Sequence, residues 1–167
     1  MPKANTQILQ TLARLEEAFA SLPIPAEGEV VYDNRPEHLE CAQIRKRISG
    51  RHWRDITAEE IANDSSALYF LTPTAFRFYL PAWARLSLVA WDDVDLAPMA
   101  LLVALETPGL ESLKAIHRER MDGLAENQKD ALRASLQLLQ ELHPSELSAR
   151  EIQAAIDGMD QDSELGQ

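Results

Sequence analysis

Cysteine is nearly absent from this 167-residue chain, which contains Cys41 and no other. One thiol cannot form an internal disulfide, so we exclude a disulfide-stabilised scaffold and expect a reducing, cytoplasmic location. No uninterrupted apolar run reaches the ~20 residues that a helix needs to span a bilayer, and the charged, amphipathic N-terminus does not resemble a signal peptide. The sequence therefore predicts neither export nor a membrane partner.

Signatures of catalysis and cofactor binding are also missing. The six glycines are scattered, so there is no phosphate-cradling loop, and no serine stands in a GxSxG elbow. His38 and Cys41 could share a helix face but lack a second pair of metal ligands, and Asp92, Asp93 and Asp95 lack the rest of a calcium loop. We predict no cofactor, no metal and no catalytic residue, which makes an enzyme the less favoured class. An active site built from scattered residues stays open.

Basic residues are few relative to acidic ones. The chain has 16 Lys and Arg against 27 Asp and Glu, for a formal net charge of −11. This charge repels a phosphate backbone, so a nucleic-acid partner is not expected. A basic protein surface is the favoured partner, and the alternative is that the acidic residues serve solubility alone.

Aromatic and apolar residues are concentrated in Leu68–Trp91, which predicts the core. Length and composition fit one globular domain. We predict a mainly α, single compact domain of six or seven helices, packed around this segment. Residues 1–158 form the predicted domain, and residues 159–167 an acidic, frayed C-terminal tail. A small extended pairing between Val30–Tyr32 and Ala67–Leu71 is allowed.

Local signals place the helices. Apolar residues at positions 8, 12, 15, 19 and 22 predict an amphipathic helix over residues 6–22, and a second helix should begin at Asn34 and stop at Gly50. Capping boxes at Thr57–Glu60 and Ser148–Glu151 predict two more helix starts, the second of a helix that ends near Gly158. Apolar periodicity predicts helices over residues 98–105 and 124–142, with weaker helical character over residues 110–123.

The central segment contains a proline and two cations. Thr72 can cap a helix, but Pro81 removes an internal hydrogen bond, so either a kink or a second helix start is expected there. Arg77 and Arg85 need polar partners in an apolar setting, either solvent or an acid such as Asp92 or Glu106. A pocket beside Pro81 would use four side chains. They are Arg77, Tyr79, Trp83 and Arg85.

Five of the sixteen cations fall within residues 45–54, a stretch without acids until Asp55. In so acidic a protein this run could bind an anionic ligand or an acidic surface of a partner. The simpler interpretation, which we favour, is a solvated helix end whose cations offset the helix dipole and pair with nearby acids. The candidate binding patch comprises Arg45, Lys46, Arg47, Arg51, Trp53 and Arg54.

Residues 70–82, FLTPTAFRFYLPA, resemble a bacterial family of unknown function that shares an F-L-T-P-x-A-F-R-x-Y-L-P-A segment. Looser similarity extends over about residues 8–142, and the chain departs from the family pattern at Ala125-Glu126, where Thr/Ser-Pro is expected. The resemblance implies a common fold and no established chemistry. Small acidic proteins of this kind accompany toxin or interaction modules, so the resemblance also implies an immunity or adaptor role.

Two functional hypotheses follow. The first is a non-catalytic cytoplasmic protein that binds a basic partner through its acidic surface, as an immunity or adaptor protein would. The second is an enzyme or small-molecule-binding protein with its pocket beside Pro81.

Overall fold

A computed structural model describes residues 2–161 of the chain. These residues form one α-helical domain, which confirms the predicted fold class, and they contain no β-sheet. Short 3₁₀ turns occupy Glu27–Glu29, Trp53–Asp55, Ser65–Phe70 and Trp91–Asp93. The α-helices are α1 (Pro2–Phe19), α2 (Leu39–Ile48), α3 (Ala58–Asn63), α4 (Pro73–Val89), α5 (Ala97–Leu105), α6 (Glu111–Asp122), α7 (Glu126–Leu142) and α8 (Ala149–Asp160).

The start of α2 differs from the prediction. Its N-cap is His38, whose Nδ1 accepts a hydrogen bond from the backbone N–H of Cys41 at 3.3 Å. Asn34 lies outside the helix, where its side chain donates to the carbonyl of Gly28 and accepts from Arg45 Nη1 at 2.8 Å. The predicted Asn34 cap is therefore wrong, because these longer-range partners engage its side chain.

Other helix ends follow the local signals. The two predicted capping boxes are present, with Thr57 and Ser148 accepting from the backbone N–H of Glu60 and Glu151. Gly50 follows α2 with a φ of 73°, a left-handed conformation that glycine adopts without the strain of a side chain. Each of these signals acts within four residues, which is why the sequence alone reveals it.

α4 forms the centre of the fold and contacts α1, α5, α6 and α7. Thr72 caps it as predicted, accepting from the N–H of Ala75 at 3.1 Å. The helix continues past Pro81, so the alternative of a second helix starting there is wrong. An interior proline costs about 3 kcal/mol, whereas each large apolar side chain that is fully buried contributes about 1.5–3 kcal/mol. Twelve residues of α4 are buried, which offsets the cost of Pro81.

The predicted extended pairing is reduced to one antiparallel bridge between Val31 and Leu71. Tyr32 donates its N–H to the carbonyl of Phe70, and Thr72 donates its N–H to Val30, both at 3.1 Å. Residues 67–70 do not form the extended segment that the sequence allowed. They belong to the 3₁₀ turn Ser65–Phe70, which is too tightly wound to continue a strand.

α1 and α7, two long amphipathic helices, pack side by side, and α7 also contacts α4 and α8. Leu132, Leu136 and Leu139 are buried on α7, as their periodicity predicts. No helix in residues 2–161 is long and apolar enough to cross a bilayer.

α8 ends at Asp160, two residues beyond the predicted end, and Met159 within it is fully buried. Fraying therefore does not begin at residue 159, and residues 162–167 of the predicted tail lie outside the described residues.

Gly158 lies against the end of α5. A β-carbon added there would stand 2.1 Å from the carbonyl oxygen of Leu105 and 2.9 Å from Cα of Glu106. This glycine is required because α8 and the α5 backbone approach so closely.

Gly158→Ala should lower the free energy of unfolding by at least about 2 kcal/mol, since the clash is with backbone that must shift. Gly109→Ala is the matched control, because an added β-carbon there meets nothing within 4 Å, and we expect a change of at most about 0.5 kcal/mol. Urea unfolding of both variants measures the difference. Equal stabilities would show that α8 can move away from α5 at little cost.

Candidate functional site

Residues 45–54 mostly form contacts within the domain. Arg47 pairs with Asp64 at 3.1 Å, and Arg51 forms a two-pronged ion pair with Glu60. Arg54 stands 3.7 Å from Glu16 and lies over the ring of Trp53, which is itself fully buried. These contacts favour the structural interpretation of the basic run.

Arg45 and Lys46 complete the candidate patch. Arg45 binds the side chain and carbonyl of Asn34, and it thereby ties α2 to the preceding loop. Lys46 is exposed and forms no ion pair with any other described residue. A binding role for this patch stays a prediction, and Lys46 is the cation in it that is best placed to serve one.

The Arg51–Glu60 pair has a clear electrostatic consequence. Hydrogen bonds from Arg51 and from the backbone and side chain of Thr57 lower the pKa of Glu60 from 4.5 to about 2, and Glu60 in turn raises the pKa of Arg51. Arg51 also donates to the carbonyl of Asp55 at 2.6 Å. The pair therefore links α2, the Trp53–Asp55 turn and the first turn of α3.

The four side chains of the predicted pocket beside Pro81 form hydrogen bonds with different segments of the chain and do not converge on one site. Tyr79 is fully buried, and its hydroxyl donates towards the carbonyls of Ile48 at 2.7 Å and Arg51 at 3.0 Å. Burial raises the pKa of Tyr79 to about 12, so the phenol stays neutral at physiological pH. Trp83 Nε1 donates to the carbonyl of Ser65 at 3.0 Å.

The two cations of α4 have partners other than those expected. Arg77 Nε donates to Gln128 Oε1 at 2.9 Å, and Arg85 donates to the carbonyls of Arg54 and Ile56, both at 3.1 Å. The expected pairing with Asp92 or Glu106 is wrong. Amide and carbonyl oxygens of neighbouring segments accept hydrogen bonds from these guanidinium groups. The α4 side chains therefore link α4 to the segments around it, and they do not form a common binding site.

A concave apolar surface lies elsewhere, between α5, α6 and the turn Ser65–Phe70, and we call it the α5–α6 groove. It encloses about 610 Å³. Four of the ten large hydrophobic side chains that are strongly exposed in the described residues line it: Tyr32, Tyr69, Val103 and Leu113. The remaining lining residues are Ala104, Glu106, Pro108, Ile116, His117 and Arg120.

The polar lining of the groove consists of the exposed Glu106 and two buried side chains of α6. His117 Nε2 lies 3.0 Å from the carbonyl oxygen of Leu105, and Arg120 Nη2 donates to the carbonyls of Tyr69 at 2.9 Å and Leu71 at 2.8 Å. The Arg120 guanidinium also lies 4.9 Å from the ring centre of Phe76. These contacts position the two walls of the groove relative to each other.

An aromatic cluster extends one wall of the groove. Tyr32 stacks on Phe70 with ring centres 6.0 Å apart, and His38 meets both rings edge-on. Exposed aromatic side chains are favoured at protein interfaces, because they bury a large area at a small cost in conformational entropy. Within the described residues, no three His, Cys, Asp or Glu side chains converge to hold a metal ion.

One signal of the α5–α6 groove is present in the sequence. Leu113, Ile116, His117 and Arg120 fall on one face of α6 at positions i, i+3, i+4 and i+7. This face meets Tyr69 and Tyr32, which lie more than 40 residues earlier in the chain. Only the tertiary structure brings them together.

The sequence profile of one protein family, described as a family of unknown function (DUF6714), matches residues 12–158 of the chain. No curated protein and no solved structure matches this chain. The match includes every residue of the α5–α6 groove, and it confirms the prediction that the chain resembles a family without an established function.

Glu60→Gln should destabilise the protein by about 1–2 kcal/mol at pH 7, because each unit of pKa corresponds to about 1.4 kcal/mol and the two partners are 26% and 32% exposed. The contribution of Glu60 is complete above its unfolded pKa and disappears as pH falls towards 2. Urea unfolding at pH 7 and pH 3 should thus show a smaller effect at pH 3. Glu151→Gln, in the capping box without an arginine, is the control and should cost less. A pH-independent effect would contradict the assignment.

Tyr79→Phe should cost about 1–3 kcal/mol, because two buried carbonyls lose their donor. The matched control is Tyr69→Phe, whose hydroxyl forms a long, partly exposed contact of 3.4 Å with Ala100 and should change stability by at most about 0.5 kcal/mol. Thermal and urea unfolding compare the two. If Tyr79→Phe left stability unchanged but impaired function, a ligand site beside Pro81 would be indicated instead of a structural role.

Proposed function

The chain belongs to the DUF6714 family of unknown function, and from its surface we propose that it is a non-catalytic protein-binding module. The α5–α6 groove is the observation that carries this proposal. Large apolar side chains are costly to leave in water, and a contiguous exposed set of them is characteristic of a protein-interaction surface. Tyr32, Tyr69, Val103 and Leu113 form such a set.

The charge of the segments that form the groove indicates the chemistry of the partner. Residues 27–40, which supply Tyr32, contain five acidic residues and one basic residue. Residues 92–106, which include α5, contain four acidic residues and no basic one, and α6 contains three of each. Complementary charges favour association and suppress wrong partners. The proposed partner is therefore a protein with a basic surface, whose apolar side chains enter the groove and whose Lys or Arg residues face the surrounding acids.

An immunity or adaptor role is the specific form of this function that we propose. A bound acidic protein would neutralise a basic toxin domain or enzyme by covering its charged surface. The bacterial origin implied by the FLTPTAFRFYLPA segment, and a cytoplasmic location, belong to the same proposal. A small-molecule or enzymatic site beside Pro81 has less support, because Tyr79 and Trp83 are buried and hydrogen-bonded there.

Site-specific photo-crosslinking in the native host tests the proposal. A photo-reactive amino acid in place of Val103 should yield one adduct of defined mass, with a basic protein whose crosslinked peptide contains apolar residues and Lys or Arg. The same amino acid in place of Leu9, which is 67% exposed on α1, is the control and should not yield that adduct.

Leu113→Glu in the Val103 crosslinking variant should reduce the adduct at least about tenfold, since a charge buried in an apolar contact costs more than about 1.4 kcal/mol. Leu9→Glu should leave the adduct unchanged. Identical adducts from positions 9 and 103, or repeated failure to obtain any, would overturn the proposed function.

A further inference from the structure

Arg120 carries a buried positive charge in a groove that the exposed Glu106 also lines, and the two residues form no ion pair. Arg120 is 7% exposed, lines the α5–α6 groove, and forms no ion pair with any described acidic residue. Burial alone lowers the pKa of its guanidinium. A buried charge is costly unless it is compensated, and a carboxylate is the usual compensating group for arginine.

The hydrogen bonds of Arg120 are incomplete. Nη2 donates to the carbonyls of Tyr69 and Leu71, whereas Nε is buried without an acceptor and Nη1 donates to no described group. Buried donors in proteins are nearly always satisfied. The two carbonyls and the ring of Phe76, which lies 4.9 Å from the guanidinium, account for the position of Arg120. They leave Nε as a buried donor without an acceptor and place no negatively charged group on the guanidinium.

Arg85 provides an informative comparison within the same domain. It also donates to two carbonyls and lies in a partly buried setting. Its guanidinium interacts electrostatically with Glu16 and Asp55, however, and it does not line the α5–α6 groove. Arg85 and Arg120 both leave Nε buried without an acceptor. Of these two residues, Arg120 is therefore the one that combines missing acidic compensation with access to the groove.

We infer that Arg120 is the anchor for a carboxylate of the partner protein, which enters the α5–α6 groove between apolar side chains. This inference rests on the proposed function and specifies the segment that binds. That segment carries one Asp or Glu, or a chain-terminal carboxylate, with apolar residues beside it and Lys or Arg at its flanks. Nη1 donates to the carboxylate, Val103 and Leu113 contact the apolar side chains, and the flanking cations face the acidic residues around the groove.

The α5–α6 groove has a volume of about 610 Å³, which is large enough for a few side chains of a partner. Sites of roughly 300–1,000 Å³ typically combine apolar walls with a few polar groups that fix orientation. Bringing the carboxylate to Arg120 removes it from water, so the interaction discriminates strongly against a neutral or basic group at that place. Specificity would come from Arg120, and much of the buried area from the aromatic and aliphatic walls.

Selection from a random twelve-residue peptide library on the full-length protein tests the inference. Peptides that bind the wild type but not the Val103→Glu variant are retained as groove binders. We expect them to share one carboxylate among apolar residues, with Lys or Arg outside. For a selected peptide, changing its Asp or Glu to the corresponding amide should weaken binding at least about tenfold.

The dependence on Arg120 is measured by a double-mutant cycle. In Arg120→Gln, the carboxylate and amide peptides should bind with nearly equal affinity, whereas in the control Arg85→Gln the roughly tenfold preference should persist. Circular dichroism and thermal unfolding establish that each variant is folded. If Arg120→Gln does not fold, Arg120→Lys replaces it and should weaken the preference by losing the planar geometry of the guanidinium.

The outcomes separate the two proposals. Groove binders that lack a carboxylate, or whose preference for it survives in Arg120→Gln, would overturn the role of Arg120 and leave the protein-binding function supported. Failure to obtain any peptide sensitive to Val103→Glu would count against both.

Discussion

The structure depends on the burial of α4, which α1, α5, α6 and α7 surround. In a helix so enclosed, polar side chains are tolerated at low cost when they find partners, and several of those on α4 find them on neighbouring segments, with the buried hydroxyl of Ser87 an exception. Tyr79 reaches the end of α2, Trp83 reaches Ser65, and Arg77 reaches Gln128 at the start of α7. Hydrogen bonds that are required by burial therefore also fix the positions of the surrounding loops and helices.

This arrangement separates the stabilising polar groups from the surface that is available to a partner. The most recognisable part of the chain, residues 70–82, contributes mainly buried side chains, and its polar members form internal hydrogen bonds. The α5–α6 groove forms at the edge of that core, where α6 contacts α4 and leaves Leu113 exposed. Arg120 and His117 connect α6 to the Ser65–Phe70 turn and to the end of α5, so the shape of the groove follows from the packing around α4.

How well the sequence predicted each feature depended on the range of the interaction. The capping boxes at Thr57 and Ser148 and the cap at Thr72 involve groups within three residues, and each was predicted correctly. Asn34 also has the composition of a cap, but Arg45 and Gly28 engage its side chain instead. At Pro81, the helix start that was one of the two predicted alternatives is absent, because α4 continues through the proline. Arg77 and Arg85 were correctly expected to need partners, yet their actual partners come from other segments.

The sequence by itself determined the helical class, the position of the core and most helix starts, because periodicity and capping act over one or two turns. It also determined the net charge of −11. Only the tertiary structure decided that Tyr32, Tyr69, Val103 and Leu113 share one surface and that Arg120 lies beside them, buried and without an ion pair to a described acidic residue. These residues are far apart in the chain, and whether a buried charge is compensated depends on every segment packed around it.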